Sequence, residues 1–300
     1  MLSICIPVYN VDVTKLVHAL IMQSNEHQLE VEILVFDDDS NAHYKAINSP
    51  ISQLNNVTYK ELDKNIGRAA IRNLMAKSSV YPNLLFIDSD SEINKYYLLN
   101  YKNILGKYNI VCGGRVHPSK LPVPSVSLRW SFGRAREDFD ADTRTKNSNT
   151  GFISNNFLVK KSLFHQIQFN EQITQYGHED TMLGIEMEKL GITITHIDNP
   201  VTHIGLEENK VFVEKTKVSI TTLLFLLKNY PNEALLFKHI KLLKYFNFIK
   251  SFRLLTVLNY IYHTFETRMV KNFYSEHPNL RLFDLYKLCY LSVIYLKYPK

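Results

Sequence analysis

The chain opens on an apolar run, LSICIPVY (2–9), that reads as a buried strand. A helical pattern follows, with Thr14 near its start and apolar side chains at 16, 17, 20 and 21. The alternation then repeats. VEILVFD (31–37) and NVTYKEL (56–62) read as strands, and NIGRAAIRNLMAKS (65–78) as a helix whose apolar positions 66, 70, 71, 74 and 75 share one face. LLFID (84–88) is a strand, YYLLNYKNIL (96–105) a helix, and NIVCGGRVH (109–117) a strand ending in Gly-Gly. Residues 117–150 show no period, carry three prolines and read as a long loop. SNNFLVKKSLF (154–164) gives a strand and a helix start, YGHEDTMLGIEMEKLG (176–191) a helix with an acidic beginning, and ITITHIDNPVTHIG (192–205) a pair of short strands. Beyond about 210 the pattern is helical in four blocks, roughly 207–229, 232–248, 251–274 and 280–297. Strands alternating with helices predict parallel βαβ units, with ligand chemistry at the carboxyl ends of the strands.

Charge divides the chain at the same place. Residues 1–209 carry 20 Lys and Arg against 24 Asp and Glu, whereas residues 210–300 carry 15 against 5. A basic tail on a mildly acidic body suggests two modules with different partners. Cys5, Cys112 and Cys289 lie far apart with no C-x-x-C spacing, which fits buried thiols in a reducing compartment. No secretory leader is expected from a chain that starts on a strand. The apolar stretches 218–227 and 288–296 fall short of the about 20 residues that span a bilayer.

The strand 84–87 runs straight into Asp88-Ser89-Asp90. Two carboxylates at the end of a buried strand cost desolvation energy unless a positive group sits there. A divalent cation bridging phosphates meets that need, and so does simple solvation of a strand end. Asp37-Asp38-Asp39 ends another strand, and in a parallel sheet both acidic groups surface on one edge. Glu179-Asp180 opens a helix, where carboxylates serve either as ordinary dipole partners or as a general base.

Five pieces occur in a fixed order: IPVYN (6–10), FDDDS (36–40), NIGRAAIRN (65–73), DSD (88–90) and GHED (177–180). Together they resemble the family 2 glycosyltransferases over roughly residues 1–210. Two departures stand out: Asp39 where glycine is usual, and Arg68 inserted before the Ala pair. The resemblance implies a GT-A fold, an α/β architecture with a Rossmann-like, mostly parallel central sheet and flanking helices. A C-terminal helical appendage follows it. Residues 1–209 would be the catalytic domain, with the nucleotide-sugar side at roughly 1–115 and the acceptor side at roughly 116–209. Residues 210–300 are the appendage.

The resemblance also implies roles. Asp90 is the direct ligand of Mn²⁺ or Mg²⁺, and Asp88 holds the ribose or a metal-bound water. Pro7 and Tyr9 cover the nucleobase, Asp38 accepts from a uracil N–H, and Asp37 supports Asp38 or the loop. That makes a UDP-sugar the favoured donor. Arg68 and Arg72 reach base or phosphate, or instead pair with the acidic edge. Asp180 takes the acceptor proton, and Glu179 helps hold the acceptor sugar. His203 is a further metal ligand or a packed strand histidine. His178 and Trp130 are weaker acceptor-site candidates, Trp130 serving equally as a loop anchor.

The reading is a metal-dependent inverting glycosyltransferase acting on a glycan or lipid-linked acceptor in surface polysaccharide or glycoconjugate assembly. Its place is the cytoplasm or the inner face of the membrane. The tail either touches the membrane peripherally or forms a bundle or dimer surface. No nucleic-acid motif is present. The rivals are a nucleotidyltransferase, which would carry a Gly-rich basic loop where this chain has PVYNVD (7–12), and a non-catalytic nucleotide-sugar-binding or membrane-scaffold subunit.

Overall fold

A computed structural model describes residues 1–146 and 148–298. The elements run in the order β1 (Leu2–Val8), α1 (Thr14–Glu26), β2 (Val31–Asp37), α2 (Ala42–Asn48), β3 (Val57–Glu61), α3 (Gly67–Ser78), β4 (Asn83–Ile87) and β5 (Ser91–Glu92). Next come α4 (Tyr97–Lys102), β6 (Ile110–Cys112), β7 (Arg115–Val116), α5 (Ser127–Arg136), α6 (Ala141–Thr145), β8 (Asn156–Lys160) and α7 (Lys161–Ile167). α8 (Glu179–Lys189), β9 (Thr195–His196), β10 (Val201–His203), α9 (Asn209–Asn229), α10 (Glu233–His239), α11 (Lys241–Ser251), α12 (Leu255–Phe273) and α13 (Leu280–Lys297) complete the chain.

These elements fall into two compact units. The first holds Met1–His117, Asp138–Thr174 and Met182–Gly205, and the second holds Pro118–Glu137, Gln175–Thr181 and Leu206–Lys300.

In the first unit a seven-stranded sheet has the order β3-β2-β1-β4-β8-β6-β9. The four strands from β3 to β4 are parallel, and β8 runs antiparallel to both β4 and β6. β1, β4 and β6 are almost wholly apolar because both faces are covered, whereas the edge strand β3, VTYKE, has no buried residue. Alternation along β1 sends Leu2, Ile4, Ile6 and Val8 to one face, where they meet Leu16, Val17 and Leu20 of α1 and Tyr97 and Leu98 of α4. Cys5 points to the other face, with Phe86, Phe157, Ile71 and Met75 of α3, and Phe164 of α7. Phe86 stacks on Phe157 at 4.8 Å between ring centroids, which locks β4 to β8.

A second sheet of three very short strands has the order β5-β10-β7. Here the structure departs from the sequence reading. The two strands within 192–205 do not pair with each other: β9 joins β6 in the large sheet, and β10 lies between β5 and β7. Nor is 109–117 one strand. It breaks at Gly113-Gly114 and continues as β7 in the small sheet. Gly113 has no room for a side chain, since a Cβ would stand 2.4 Å from the Tyr101 hydroxyl.

The segment 117–150 is not an open loop, since it forms a short 3-10 turn (Pro124–Val126), α5 and α6. In the second unit α5 buries only Ser127, Leu128, Arg129 and Gly133, too mixed a set to show an apolar period. Leu128 joins a core made by Phe212 and Val213 of α9, Leu258, Tyr262 and Phe273 of α12, and Phe283 and Tyr286 of α13. The block read as one helix over 232–248 is two, because Ile240 is extended between α10 and α11. All three cysteines are buried and unpaired with one another.

Candidate functional site

Because β1, β2 and β4 are parallel, their carboxyl ends bring Tyr9, Asp37–Asp39 and Asp88–Asp90 to one edge of the large sheet. The loops there are tied by short polar side chains. Ser40 Oγ accepts the Asn10 backbone N–H at 2.7 Å, and Asn10 Oδ1 accepts from the Asn41 N–H at 2.9 Å. Pro7 lies within β1 and is half-buried, and Tyr9 just beyond it is 55% exposed.

Three consecutive aspartates occupy three environments. Asp37 is fully buried, accepts the Ser40 N–H at 2.6 Å, and takes the Tyr59 hydroxyl at 3.0 Å. Asp38 is also buried. Its carboxylate accepts the N–H groups of Ile66 and Gly67 at 2.7 and 3.0 Å, so it fastens the entry to α3. Burial raises the Asp38 carboxyl above the usual range, against the pull of those two N–H groups. Asp39 is exposed, pairs with Lys45 at 3.0 Å, and has φ +64°. That backbone conformation is the one glycine takes without strain.

α3 carries Arg68, Arg72 and Asn73. Arg72 is buried, donates to the Arg68 carbonyl oxygen at 3.2 Å, and forms an ion pair with Asp88 at 2.6 Å. Of the two readings held for Arg72, the structure displays the pairing with the acidic edge. Asn73 bridges to the Phe169 backbone in both directions and to Glu171. Asp88 also donates its backbone N–H to the Asn155 carbonyl oxygen at 2.9 Å.

Asp90 sits where the small sheet begins. β10 pairs with β5 so that His203 lies opposite Ser91, and His203 Nε2 comes within 3.0 Å of Asp90 Oδ2. Burial alone would raise the Asp90 carboxyl. The hydrogen bond and charge of His203, with Arg68 and Arg115 nearby, instead hold it below the usual carboxylate range. Gly205 makes this possible, since a Cβ there would stand 2.6 Å from both Cβ and Oδ2 of Asp90.

Sequence reasoning missed what stands behind His203. β7 pairs with β10 in parallel, Thr202 opposite Val116, which sets His117 beside His203. His117 Nε2 lies 3.4 Å from His203 Nδ1, and His117 Nδ1 lies 2.5 Å from Asp138 Oδ1. It also missed Arg144, buried under Gly113-Gly114, which donates to the carbonyl oxygens of Phe139 and Ile197. Spacing gave no signal for either, because 21 residues separate His117 from Asp138.

The remaining candidates belong to the second unit. Glu179 and Asp180 open α8, Glu179 is buried, and Asp180 Oδ1 accepts the Thr181 N–H at 2.7 Å. His178 has φ +71° and lies 3.3 Å from Ser219 Oγ. Trp130 donates its indole N–H to the Pro118 carbonyl oxygen at 2.8 Å, as a loop anchor does.

Known proteins share the family segment and the fold. The Glycosyl transferase family 2 model matches residues 3–168, more than half of the chain. A teichoic acid poly(glycerol phosphate) polymerase of Staphylococcus epidermidis is 26% identical over 151 residues, 48% of this chain but 20% of that protein. The chain therefore spans about a fifth of that relative's length. The S. aureus TarS 1–349 structure with UDP-GlcNAc superposes with TM-score 0.52 at 18% identity, covering 80% of this chain and 71% of that one. The Pyrobaculum calidifontis mannosyltransferase PcManGT, with GDP-Man and Mn²⁺, gives TM-score 0.61 at 12% identity over 100% and 87%. These likenesses carry the GT-A fold, and the family match rests on the segment that supplies the acidic sheet edge. The chain belongs to glycosyl transferase family 2.

Proposed function

We propose that this chain moves a sugar, with inversion, from a UDP-sugar to a hydroxyl of a glycan or glycolipid acceptor, with Mn²⁺ or Mg²⁺ bound. The observation that carries the reading is the Asp90–His203 pair at 3.0 Å on the edge of the sheet. A carboxylate oxygen beside an imidazole nitrogen is a donor set that would hold such a cation, so Asp90 and His203 would be its protein ligands. Among the described residues no group of three or more His, Cys, Asp or Glu is placed to hold a metal. Donor phosphates and water would complete its ligands, as is usual for Mg²⁺, and imidazole suits Mn²⁺ as well. When bound, the cation neutralises the charge that develops on the departing diphosphate.

The protein's own groups carry the rest. Tyr9, largely exposed beyond β1, offers a ring to a nucleobase, and Pro7 and Asp38 complete that side. Asp38 spends one lone pair of each oxygen on the α3 entry and keeps others for a uracil N–H. Asp37 braces that loop, Arg72 aims Asp88 toward the ribose, and Arg68 adds positive charge beside Asp90. Asp180 removes the acceptor proton as the hydroxyl oxygen bonds to the anomeric carbon and the bond from that carbon to the diphosphate breaks. Glu179 positions the acceptor, with His178 and Trp130 as further acceptor-side groups. The shared stretch with the teichoic acid polymerase supports a cell-surface polysaccharide as the product class.

The acceptor is lipid-linked and the enzyme meets it at the membrane surface. Among the described residues no helix is long and apolar enough to cross a membrane. In the second unit, residues 234–265 contain Lys238, Lys241, Lys244, Lys250 and Arg253 and no acidic residue. Tyr245, Phe248 and Phe252 stand 63, 62 and 61% exposed beside those cations. A basic, aromatic face suits an anionic bilayer.

Transfer from labelled UDP- and GDP-sugars, assayed with wild type and Asp180→Asn, tests the proposal. Turnover with a UDP-sugar that Asp180→Asn abolishes, with nucleotide binding retained, is the expected result. Absence of turnover with every donor, or full activity in the variant, contradicts it.

A further inference from the structure

We propose that Ser219 and Thr222 of α9 are positioning residues of the transfer reaction, holding the turn 176–178 in the left-handed conformation that aims Asp180. The inference rests on the reading of Asp180 as the base and carries it to a helix outside the five motifs.

The backbone just before the base is held in a sparsely populated conformation. Gly177 has φ +104°, and His178 beside it has φ +71°. Glycine takes such values freely, whereas a residue with a side chain does so rarely, histidine more often than most. Two such residues in succession persist only where the contacts around them over-determine the conformation. They also set how the chain enters α8 at Glu179, so the Asp180 carboxylate moves with them.

One stripe of α9 makes those contacts. Lys215, Ser219 and Thr222 follow at helical spacing and share a face. Thr222 is buried, and its Oγ1 lies 3.1 Å from the Tyr176 carbonyl oxygen and 3.2 Å from that of Val218. Its one hydrogen is shared between turn and helix. Thr216 and Thr221 show the ordinary behaviour of a helical threonine, bonding back to the Phe212 and Lys217 carbonyl oxygens of α9 itself. Thr222 differs in reaching the turn as well. Ser219 Oγ lies 3.3 Å from His178 Nε2. The Ser219 side chain also packs into the space a Gly177 side chain would need, since a Cβ there would stand 2.5 Å from Ser219 Oγ and 2.9 Å from Ser219 Cβ. Lys215, paired with Glu207 at 2.8 Å, lies over the Tyr176 ring at 5.5 Å from its centroid.

The division of the chain follows the same contacts. Gln175–Thr181 belongs to the second unit with the C-terminal helices, although the residues up to Thr174 and from Met182 belong to the first. The second unit thereby supplies both the proposed base and the helix that orients it. Displacing a reacting group by about 1 Å can cost about 100-fold in rate without touching substrate binding elsewhere.

Ser219→Ala/Thr222→Val removes both hydroxyls and little volume. Transfer from labelled UDP-glucose, UDP-galactose, UDP-GlcNAc and UDP-GalNAc to a bacterial membrane extract gives kcat and the donor KM. Calorimetry gives UDP affinity in Mn²⁺, and thermal melting checks the fold. The expected result is a kcat about tenfold or more below wild type, with donor KM and UDP affinity unchanged. Thr222→Val alone loses part of the rate and Thr222→Ser keeps it. Thr221→Val, which drops a hydroxyl that bonds back to α9, matches wild type. Wild-type kcat in the folded double variant, an equal loss in Thr221→Val, or a donor KM that rises as far as kcat falls overturns the inference alone. If the double variant does not fold, equal kcat in Thr222→Val and Thr222→Ser does the same. No transfer by wild type, or full activity in Asp180→Asn, overturns the reading of the base and the inference with it.

Discussion

A methyl group on Gly205 would meet Asp90 at 2.6 Å, so this glycine holds the space in which the carboxylate faces His203. Gly205→Ala is expected to push Asp90 aside, weakening Mn²⁺-dependent UDP binding about tenfold and leaving metal-free UDP binding intact. Calorimetric titration checks this, and an unchanged Mn²⁺ affinity would show that the space is dispensable. At this scale the sequence exposed the acids but not their ranks. Asp37, Asp38 and Asp39 are adjacent and chemically identical, yet two are buried and one is paired at the surface. Their difference comes from Tyr59 and from the N–H groups of Ile66 and Gly67, which lie 22 to 29 residues away. Arg72 was legible only as a choice, and its burial against Asp88 made that choice.

The elements most legible in sequence were those whose apolar pattern is carried by one segment alone: β1, β2, β4, α3 and the long C-terminal helices. α5 escaped because it buries a serine, an arginine and a glycine beside one leucine. The small sheet escaped because strands of two or three residues have no period to read. The start of α8 offers a test of its own. Burial drives the His178 imidazole down to about 4, against the opposing charge of Glu179. In the unfolded chain its value is the ordinary 6.5. Between those values the unfolded state binds a proton that the folded state does not, so stability falls as pH falls through that window. His178→Asn tolerates the positive φ and removes the proton site. Its melting temperature is expected to drop less than that of wild type between pH 7 and pH 4. Parallel losses would mean that His178 is not the group responsible.

Taken over the whole chain, the charge asymmetry survives folding as a local surface, the acid-free stretch 234–265 with its exposed aromatic side chains. Wild type is expected to float with phosphatidylglycerol vesicles, to bind phosphatidylcholine weakly, and to lose binding in Phe248→Ser/Phe252→Ser. If the double variant binds vesicles normally but loses self-association, the face joins two copies instead. The α/β alternation and the five ordered motifs made the family legible before any coordinates. Two features did not follow from it: the two compact units, the second of which includes 118–137 and 175–181, and the histidine row. Both depend on contacts between distant segments, which a linear pattern does not encode.

The most direct measurement is UDP affinity by calorimetry in Mn²⁺ and in EDTA, for wild type and Asp90→Asn. A gain of about tenfold or more with Mn²⁺ in wild type, absent from the variant, is the predicted result. Equal affinity in both buffers, or a gain that survives loss of the Asp90 charge, would contradict a cation seated between this carboxylate and His203.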